Sequence, residues 1–569
     1  MLSRAEFLRM MAGAAGAALT GCRLQEPPSA PAFSHRRRPN VLLLLTDQER
    51  SWQDLPSGLR LPRRHAIAAR GVSFQQYHVA AMACAPSRSA IYTGQHIQRT
   101  GVFDNPGKTP GRKELDPAAT PTIGAMMRAA GYRTAYVGKW HLSSITRAAD
   151  SDLRGALQSF GFDEYIPALA DGDTLDAALE GLERDAPIAA SVGRWLQANA
   201  GTKSDDRPWF LAVNLINPHD IQYLDATGHQ REQVHPRFAS EMSPVPDRDP
   251  YRDDPGFDLP ASFPGPRLRP IAAHRAYVED AEVFYGDLPL DDTAAWRRYQ
   301  NYYFNCLRDV DRQIGAIVDA LDGSPAGGGT MLVFSSDHGE MGGAQGLRLK
   351  GPFVYKENFR VPLLIVHPDI RSGAVSTSSL ASGVDLAPTL LAAAGVTDEQ
   401  RAERYPALKG RNLLAVAAAP RTAVRDALLF NCSIVHCCNP LKKQEMVAGL
   451  YALKPGERPA PRRFPDDFVQ LGDRSFLRAL FDGRYKLGRY FAPAQHHRPA
   501  DWETLTRYND LELYDTQTDP NEMKNLAADP AQRELILRLN GQLNALLDGE
   551  AGGDDGSYLS GDPALWRLE

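Results

Sequence analysis

A doubly wound α/β domain followed by a smaller α+β part is what this 569-residue sequence predicts, on three observations. Short apolar runs recur, each closed by polar residues; helical signals fall between them; and past about Lys409 the runs follow one another without long helices between. Val41 to Leu45, flanked by Pro39-Asn40 and Thr46-Asp47, reads as a strand buried on both faces of a parallel sheet. Thr134 to Val137, Phe210 to Leu215, Met331 to Phe334 and Leu363 to Val366 have the same form. Between them, Thr120 is expected to cap a helix with Pro121 as its first residue and Gly131 at its end. Tyr303, Val310, Ile314, Val318 and Leu321 recur at helical spacing, which predicts a helix from about Trp296 to Leu321, leading through the Gly-rich Gly323 to Gly329 into the next strand. In such a fold ligands gather beyond the carboxyl ends of the strands, so the polar residues after each strand become the candidates.

The short runs at Ala427 to Phe430, Phe476 to Phe481, Tyr485 to Tyr490 and Leu511 to Tyr514 predict a small antiparallel sheet, with a helix near Gln532 to Leu547 packed on it. The stretch from Asp220 to about Pro289, rich in Pro, Asp and Arg and without periodicity, is expected to be an insertion or lid over the functional edge. The expected boundaries are a signal peptide in residues 1–22, a tether in 23–38, a catalytic domain in 39–425 that contains the 220–289 insertion, and a C-terminal subdomain in 426–569.

Composition describes a globular chain, with 43% hydrophobic and 23% charged residues. Sixty-four basic against 69 acidic residues leave a net charge of −5, so no global field points to nucleic acid and no such partner is expected. At the N-terminus, Arg4 and Arg9 precede a stretch from Met10 to Leu19 that is too short to span a bilayer, the form of an export signal. Leu19-Thr20-Gly21-Cys22 resembles the lipobox of bacterial lipoproteins, which implies an exported protein on the periplasmic side of a bacterial membrane, tethered only through a lipid on Cys22. Ser3-Arg4-Ala5-Glu6-Phe7-Leu8 resembles a twin-arginine signal with its second Arg replaced by Ala, which leaves the export route open. Cys306, Cys432, Cys437 and Cys438 could pair in an oxidising compartment, and spacing does not settle which. Cys432, His436, Cys437 and Cys438 are weak zinc candidates, because adjacent cysteines rarely both reach one metal.

Cys84-Ala85-Pro86-Ser87-Arg88, continuing to Ala90-Ile91-Tyr92-Thr93-Gly94, resembles the sulfatase signature. Asp47-Gln48 follows the first strand, Gly138-Lys139-Trp140-His141 another, Asn217-Pro218-His219 a third and Asp337-His338-Gly339-Glu340 a fourth, in the order of that family. Lys350, Tyr355 and Arg360-Val361-Pro362-Leu363, then Asp385-Leu386-Ala387-Pro388-Thr389 and the late Leu513-Tyr514-Asp515 with Asp519-Pro520, extend the resemblance from about Pro39 to Ala527. It implies the alkaline-phosphatase-like fold, a large mostly parallel sheet between helices with a smaller C-terminal α+β subdomain.

The resemblance further implies that a formylglycine-generating enzyme oxidises Cys84, and that the hydrated aldehyde attacks the sulfur of a small sulfate ester to form a sulfoenzyme. Asp47, Gln48, Cys84, Asp337 and His338 would hold one divalent cation, Ca2+ first, with Mn2+ or Mg2+ behind it. Gln48 and His338 depart from the commonest Asp and Asn at those places; one removes a charge and the other offers nitrogen where calcium prefers oxygen. Arg88 would hold the diol, Lys139 and Lys350 would bind sulfate oxygens, His219, with Lys350 as a possible partner, would protonate the departing alcohol, and His141 would take the proton that expels sulfate. Two other readings remain open at this point: a phosphonate monoester or phosphodiester hydrolase of the same superfamily, against which the Gly-Lys-Trp-His run argues, and a binding lipoprotein without the modification, against which the complete residue set argues.

Overall fold

The computed structural model describes residues 38–105, 114–143, 150–167, 180–199, 207–265, 271–370, 373–434 and 472–559. The signal, Cys22 and nearly all of the tether therefore lie outside the described residues, as do His436, Cys437 and Cys438. No described helix is long and apolar enough to cross a membrane.

The apolar runs become an eight-stranded sheet. In chain order its strands are β1 (Asn40–Asp47), β2 (Val72–His78), β4 (Arg133–Gly138), β5 (Glu164–Tyr165), β6 (Trp209–Pro218), β7 (Thr330–Ser336), β8 (Leu363–Val366) and β9 (Val375–Ser382); β3 (Ala81–Met82) belongs elsewhere. The spatial order is β5-β4-β6-β1-β7-β8-β2-β9. β1 lies between β6 and β7, parallel to both, with Leu43 beside Ala212 and Val333. Its residues Val41 to Leu45 are fully buried, as a strand sandwiched between helix layers must be. The helices Glu180–Asn199 and Thr293–Asp322 pack on each other and on β6. The second starts where the Asp292 carboxylate accepts from the Ala295 amide, and buries Trp296, Tyr303, Val310, Ile314, Val318 and Leu321 on one stripe.

Three local expectations are corrected. Thr122, not Thr120, caps the helix Ile123–Ala129, since its hydroxyl reaches the Ala125 amide and Pro121 stays outside. β8 runs antiparallel to both neighbours, because no crossover helix separates it from β7, only the loop that carries residues 337–350 and a single turn at Lys356–Phe359. The stretch 220–289, expected to lack periodicity, holds a 14-residue helix, Ala272–Tyr285.

The second sheet has the order β13-β12-β11-β10-β3, with β10 (Leu428–Cys432), β11 (Phe476–Phe481), β12 (Tyr485–Phe491) and β13 (Asn509–Asp515) antiparallel. The helix Arg533–Leu546 covers it, setting Ile536, Leu539 and Leu543 against Leu429, Leu480, Leu487 and Leu513. Its fifth strand, β3, pairs parallel with β10 just ahead of Cys84. Cys306 and Cys432 are both buried and do not bridge to one another.

Candidate active site and metal centre

Four neighbouring parallel strands, β4, β6, β1 and β7, deliver the site at their carboxyl ends. Asp47 ends β1; Lys139 and His141 follow β4; His219 follows β6; Asp337 and His338 follow β7. Cys84 opens the helix Cys84–Thr93, whose ten residues are all buried, and Gly94 closes it with φ +66°, a left-handed cap that glycine adopts without strain. Apart from Arg88, one turn into that helix, and Lys350, the site candidates thus stand at a strand end or a helix start. Lys350 comes from the loop after β7, and its side chain joins the same cluster.

At the centre, the Cys84 Sγ lies 3.0 Å from His338 Nε2 and 3.9 Å from an Asp47 carboxylate oxygen. Arg88, one turn along the helix, is fully buried and spreads its guanidinium over the surroundings. It donates from Nε to Asp337 at 2.8 Å and from Nη2 to Asp47 at 3.3 Å. From Nη1 it donates to the Lys139 carbonyl at 2.9 Å and to Asn214 Oδ1 at 3.1 Å, which Tyr92 also holds. The Lys139 ammonium rests at 2.7 Å on Asp47 Oδ2, the same oxygen that Arg88 Nη2 reaches, while Cys84 faces Oδ1. The Ser87 hydroxyl fastens the Asp337 carbonyl to the helix.

A second line of contacts runs outward from Gln48. Its backbone amide donates to Asp337 Oδ1 at 3.1 Å, its side-chain NH2 to Glu340 at 2.6 Å, and its Oε1 accepts from the Lys350 ammonium at 2.6 Å. Glu340, fully buried, also accepts from the Leu349 and Gly342 amides and from the Tyr299 hydroxyl. Gln48, His141 and Leu349 have positive φ (69°, 56° and 64°), three of the five such non-glycine residues among those described, and all three adjoin or form the site. Backbone strain of this kind persists where surrounding structure over-determines it. Glu340, Asn214 and Gln222, whose Oε1 also accepts from the Lys350 ammonium, are not among the sequence candidates. Glu340 carried a signal, being the last residue of the Asp-His-Gly-Glu run; the other two had none.

Burial and charge act against each other here. Asp337 is pushed up to about 7 by burial and by the neighbouring Asp47 carboxylate, in spite of His338 and Arg88. Burial also pushes Asp47 up, but Lys139, His219, His338 and Arg88 together hold it well below its ordinary value. The Cys84 thiol, raised by burial and Asp47, is brought well below its usual range by Lys350, His338 and Lys139. Burial lowers His338, and the Asp337 and Cys84 charges outweigh that and raise it to about 9. His219 is driven down to about 3 by burial and by Lys139 and Lys350, so the free site keeps it neutral.

Donor atoms of Asp47, Cys84, Asp337 and His338, all buried, lie within 4.8 Å of one another. Two carboxylates, an imidazole and a fourth donor crowded into one dry pocket fit a divalent cation, which would relieve the repulsion that raises Asp337. With a thiolate as fourth donor the set is soft; with an oxygen on the Cys84 side chain it becomes three oxygens and a nitrogen, suited to a harder ion. Gln48 is at the rim of this set, its amide oxygen engaged by Lys350.

A family model described as Sulfatase matches residues 39–396. The uncharacterized sulfatase YidJ of Escherichia coli (strain K12) is 27% identical over 537 residues, covering 90% of this chain and 87% of its own length. The choline-sulfatase of Rhizobium meliloti (strain 1021) is 26% identical over 392 residues, 64% of this chain and 69% of its own. Among solved structures, a 2-O GAG sulfatase superposes with a TM-score of 0.64 at 18% identity, covering 93% of this chain and 96% of that one. A phosphonate monoester hydrolase from Silicibacter pomeroyi does so with 0.63 at 22%, covering 91% and 96%. These two establish likeness of fold. With the family match spanning more than half of the chain, and the strand-end residues gathered as described, the chain belongs to the sulfatase family of the alkaline phosphatase superfamily and is a sulfuric ester hydrolase.

Proposed function

We propose that this enzyme hydrolyses a small sulfate monoester, with the hydrate of the formylglycine made by oxidising Cys84 as nucleophile and a covalent sulfoenzyme on the path. The observation that carries the reading is the position of Cys84: it opens a buried helix among Asp47, Asp337 and His338, with the ammonium groups of Lys139 and Lys350 engaged at Asp47 and Gln48 of the same cluster. A divalent cation held by Asp47, Cys84, Asp337 and His338, with Gln48 beside them, would orient and polarise an oxygen of the sulfate group. Lys139 and Lys350 supply fixed positive charge for sulfate oxygens, and Arg88 keeps both carboxylates in register. His219 is neutral in the free site; an arriving sulfate anion raises its proton affinity, which suits it to protonate the departing alcohol. His141, 6% exposed, serves as the base that expels sulfate.

The rival reading, phosphonate or phosphodiester hydrolysis, draws on the Gln48 and His338 substitutions and on the fold likeness to a phosphonate monoester hydrolase. Lys139 and His141 favour the sulfate ester. The deciding experiment co-expresses the protein with a formylglycine-generating enzyme, verifies the aldehyde at residue 84 by peptide mass spectrometry, and compares 4-nitrophenyl sulfate, 4-nitrophenyl phosphate and a phenyl phosphonate monoester. Sulfate turnover that depends on the aldehyde is expected. Faster phosphonate cleavage, or no dependence on the aldehyde, overturns the reading. We also propose a lipid on Cys22, with export to the periplasmic side; Cys22→Ser then releases the protein from the membrane fraction, and an unlipidated wild-type N-terminus overturns this.

A further inference from the structure

Lys350 comes from a loop, yet its ammonium has a defined direction. It donates to Gln48 Oε1 at 2.6 Å on one side and to Gln222 Oε1 at 2.6 Å on the other. Gln222 belongs to the 3-10 turn His219–Tyr223 that follows β6, where the insertion begins. Its side-chain NH2 donates to the Tyr285 hydroxyl at 2.7 Å, which fixes which end of the amide faces Lys350. Tyr285 is the last residue of the insertion helix Ala272–Tyr285, and its ring meets Tyr223 edge to face at 6.2 Å. The same helix end is gripped a second time from the Lys350 loop: buried Arg348, two residues before Lys350, donates to the Gly286 carbonyl just past the helix and to Ala281 within it. A guanidinium at a helix C-terminus satisfies orphan carbonyls and complements the dipole.

From this geometry we infer that the insertion is a positioning device for Lys350, in which Tyr285 sets the Gln222 amide and Gln222 sets the ammonium. Gln222 and Tyr285 are positioning residues for sulfate-ester cleavage; they act through Lys350. With Gln48 held by Glu340 on the far side, the ammonium is clamped between two amide oxygens and points one way only. The inference rests on the proposed function, which gives Lys350 its contact with the sulfate group.

The test uses aldehyde-bearing enzyme and 4-nitrophenyl sulfate. Gln222→Met keeps the side-chain length and removes the acceptor, so kcat is expected to fall about tenfold, the loss of one charge-assisted hydrogen bond, while KM changes by less than about threefold. Tyr285→Phe is expected to lower kcat about threefold. Combined, the two should be no worse than Gln222→Met alone, and in a Lys350→Ala background Gln222→Met should have no further effect, because its action passes through the ammonium. A multiplied loss in either combination, or an unchanged kcat in Gln222→Met, overturns the inference and leaves the proposed function standing. A wild-type rate in Lys350→Ala removes Lys350 from the proposed function and takes the inference with it. Should Gln222→Met fail to fold, Tyr285→Phe in the wild-type and Lys350→Ala backgrounds decides by the same comparison.

Discussion

Two buried charge clusters in this protein are built on opposite plans. Where β10 meets the last helix, every acid is matched by a base: Arg425 donates to both oxygens of Asp385 and to Glu550 at 2.5 Å, and His96 approaches the other Glu550 oxygen at 3.3 Å. Nearby, Arg478 meets Asp554 with two nitrogens. Burial pushes Glu550 up, but the bonds from His96 and Arg425 outweigh it and set it at about 2. At the strand ends of the large sheet the reverse holds. Asp337 is raised to about 7, and two carboxylates, a thiol and an imidazole converge on one point. A matched cluster holds parts together; a mismatched one, kept in place by Arg88 and the strands, is poised for a cation and for chemistry.

The comparison can be broken from either side. The largest effect is expected at the mismatched cluster: Cys84→Ala, whose methyl group can be neither oxidised nor hydrated, should abolish sulfate-ester turnover while thermal unfolding stays within a few degrees of wild type. Residual wild-type turnover would remove the nucleophile from the proposal. At the matched cluster Arg425→Met should leave activity per folded molecule intact and destabilise the fold by about 3–5 kcal/mol, since Asp385 and Glu550 are left buried without their base. Denaturant unfolding reads this directly, and a loss under 1 kcal/mol means that the cluster is not structural.

Lys139→Ala comes next, with a hundredfold or greater fall in kcat, roughly 2.7–4 kcal/mol of transition-state stabilisation, and little change in folding. His141→Ala should instead let a covalent sulfated form accumulate, visible by mass spectrometry of enzyme mixed with substrate. Equal rates for wild type and both variants would return the rival phosphonate reading. The smallest effect concerns acid. Glu550 has a folded value near 2 against an ordinary 4.5, so its contribution is full above pH 4.5 and is lost as pH falls towards 2. Glu550→Gln should therefore be less stable than wild type by about 1.5–3 kcal/mol at neutral pH, and the gap should close across that window. A gap that persists at pH 2 refutes the assignment.

The residues that bear charge at the centre were legible because a continuous apolar run ending in Asp, or in Gly-Lys-Trp-His, marks both a buried strand and the polar group beyond it. β2 and β9 were not, since Val72–His78 and Val375–Ser382 are partly exposed strands with polar residues in alternation, and β3 is two residues long. Asn214, Gln222 and Tyr285 were missed for a different reason. They act through partners distant in the chain, Tyr285 on Gln222 across 63 positions, and no local pattern encodes that.

The pairing of β3 with β10 has a consequence in time. Asn431 hydrogen-bonds to Ala80 across 351 positions, so the strand that seats the Cys84 segment in the small sheet does not exist until most of the chain has been made. At roughly 5–20 residues per second, synthesis alone delays that partner by about 20–70 s. On the proposed function, that interval is when a formylglycine-generating enzyme would reach the stretch from Cys84 to Arg88. What β10 then seals into the site, on the same proposal, is the aldehyde made from that side chain and no longer a thiol.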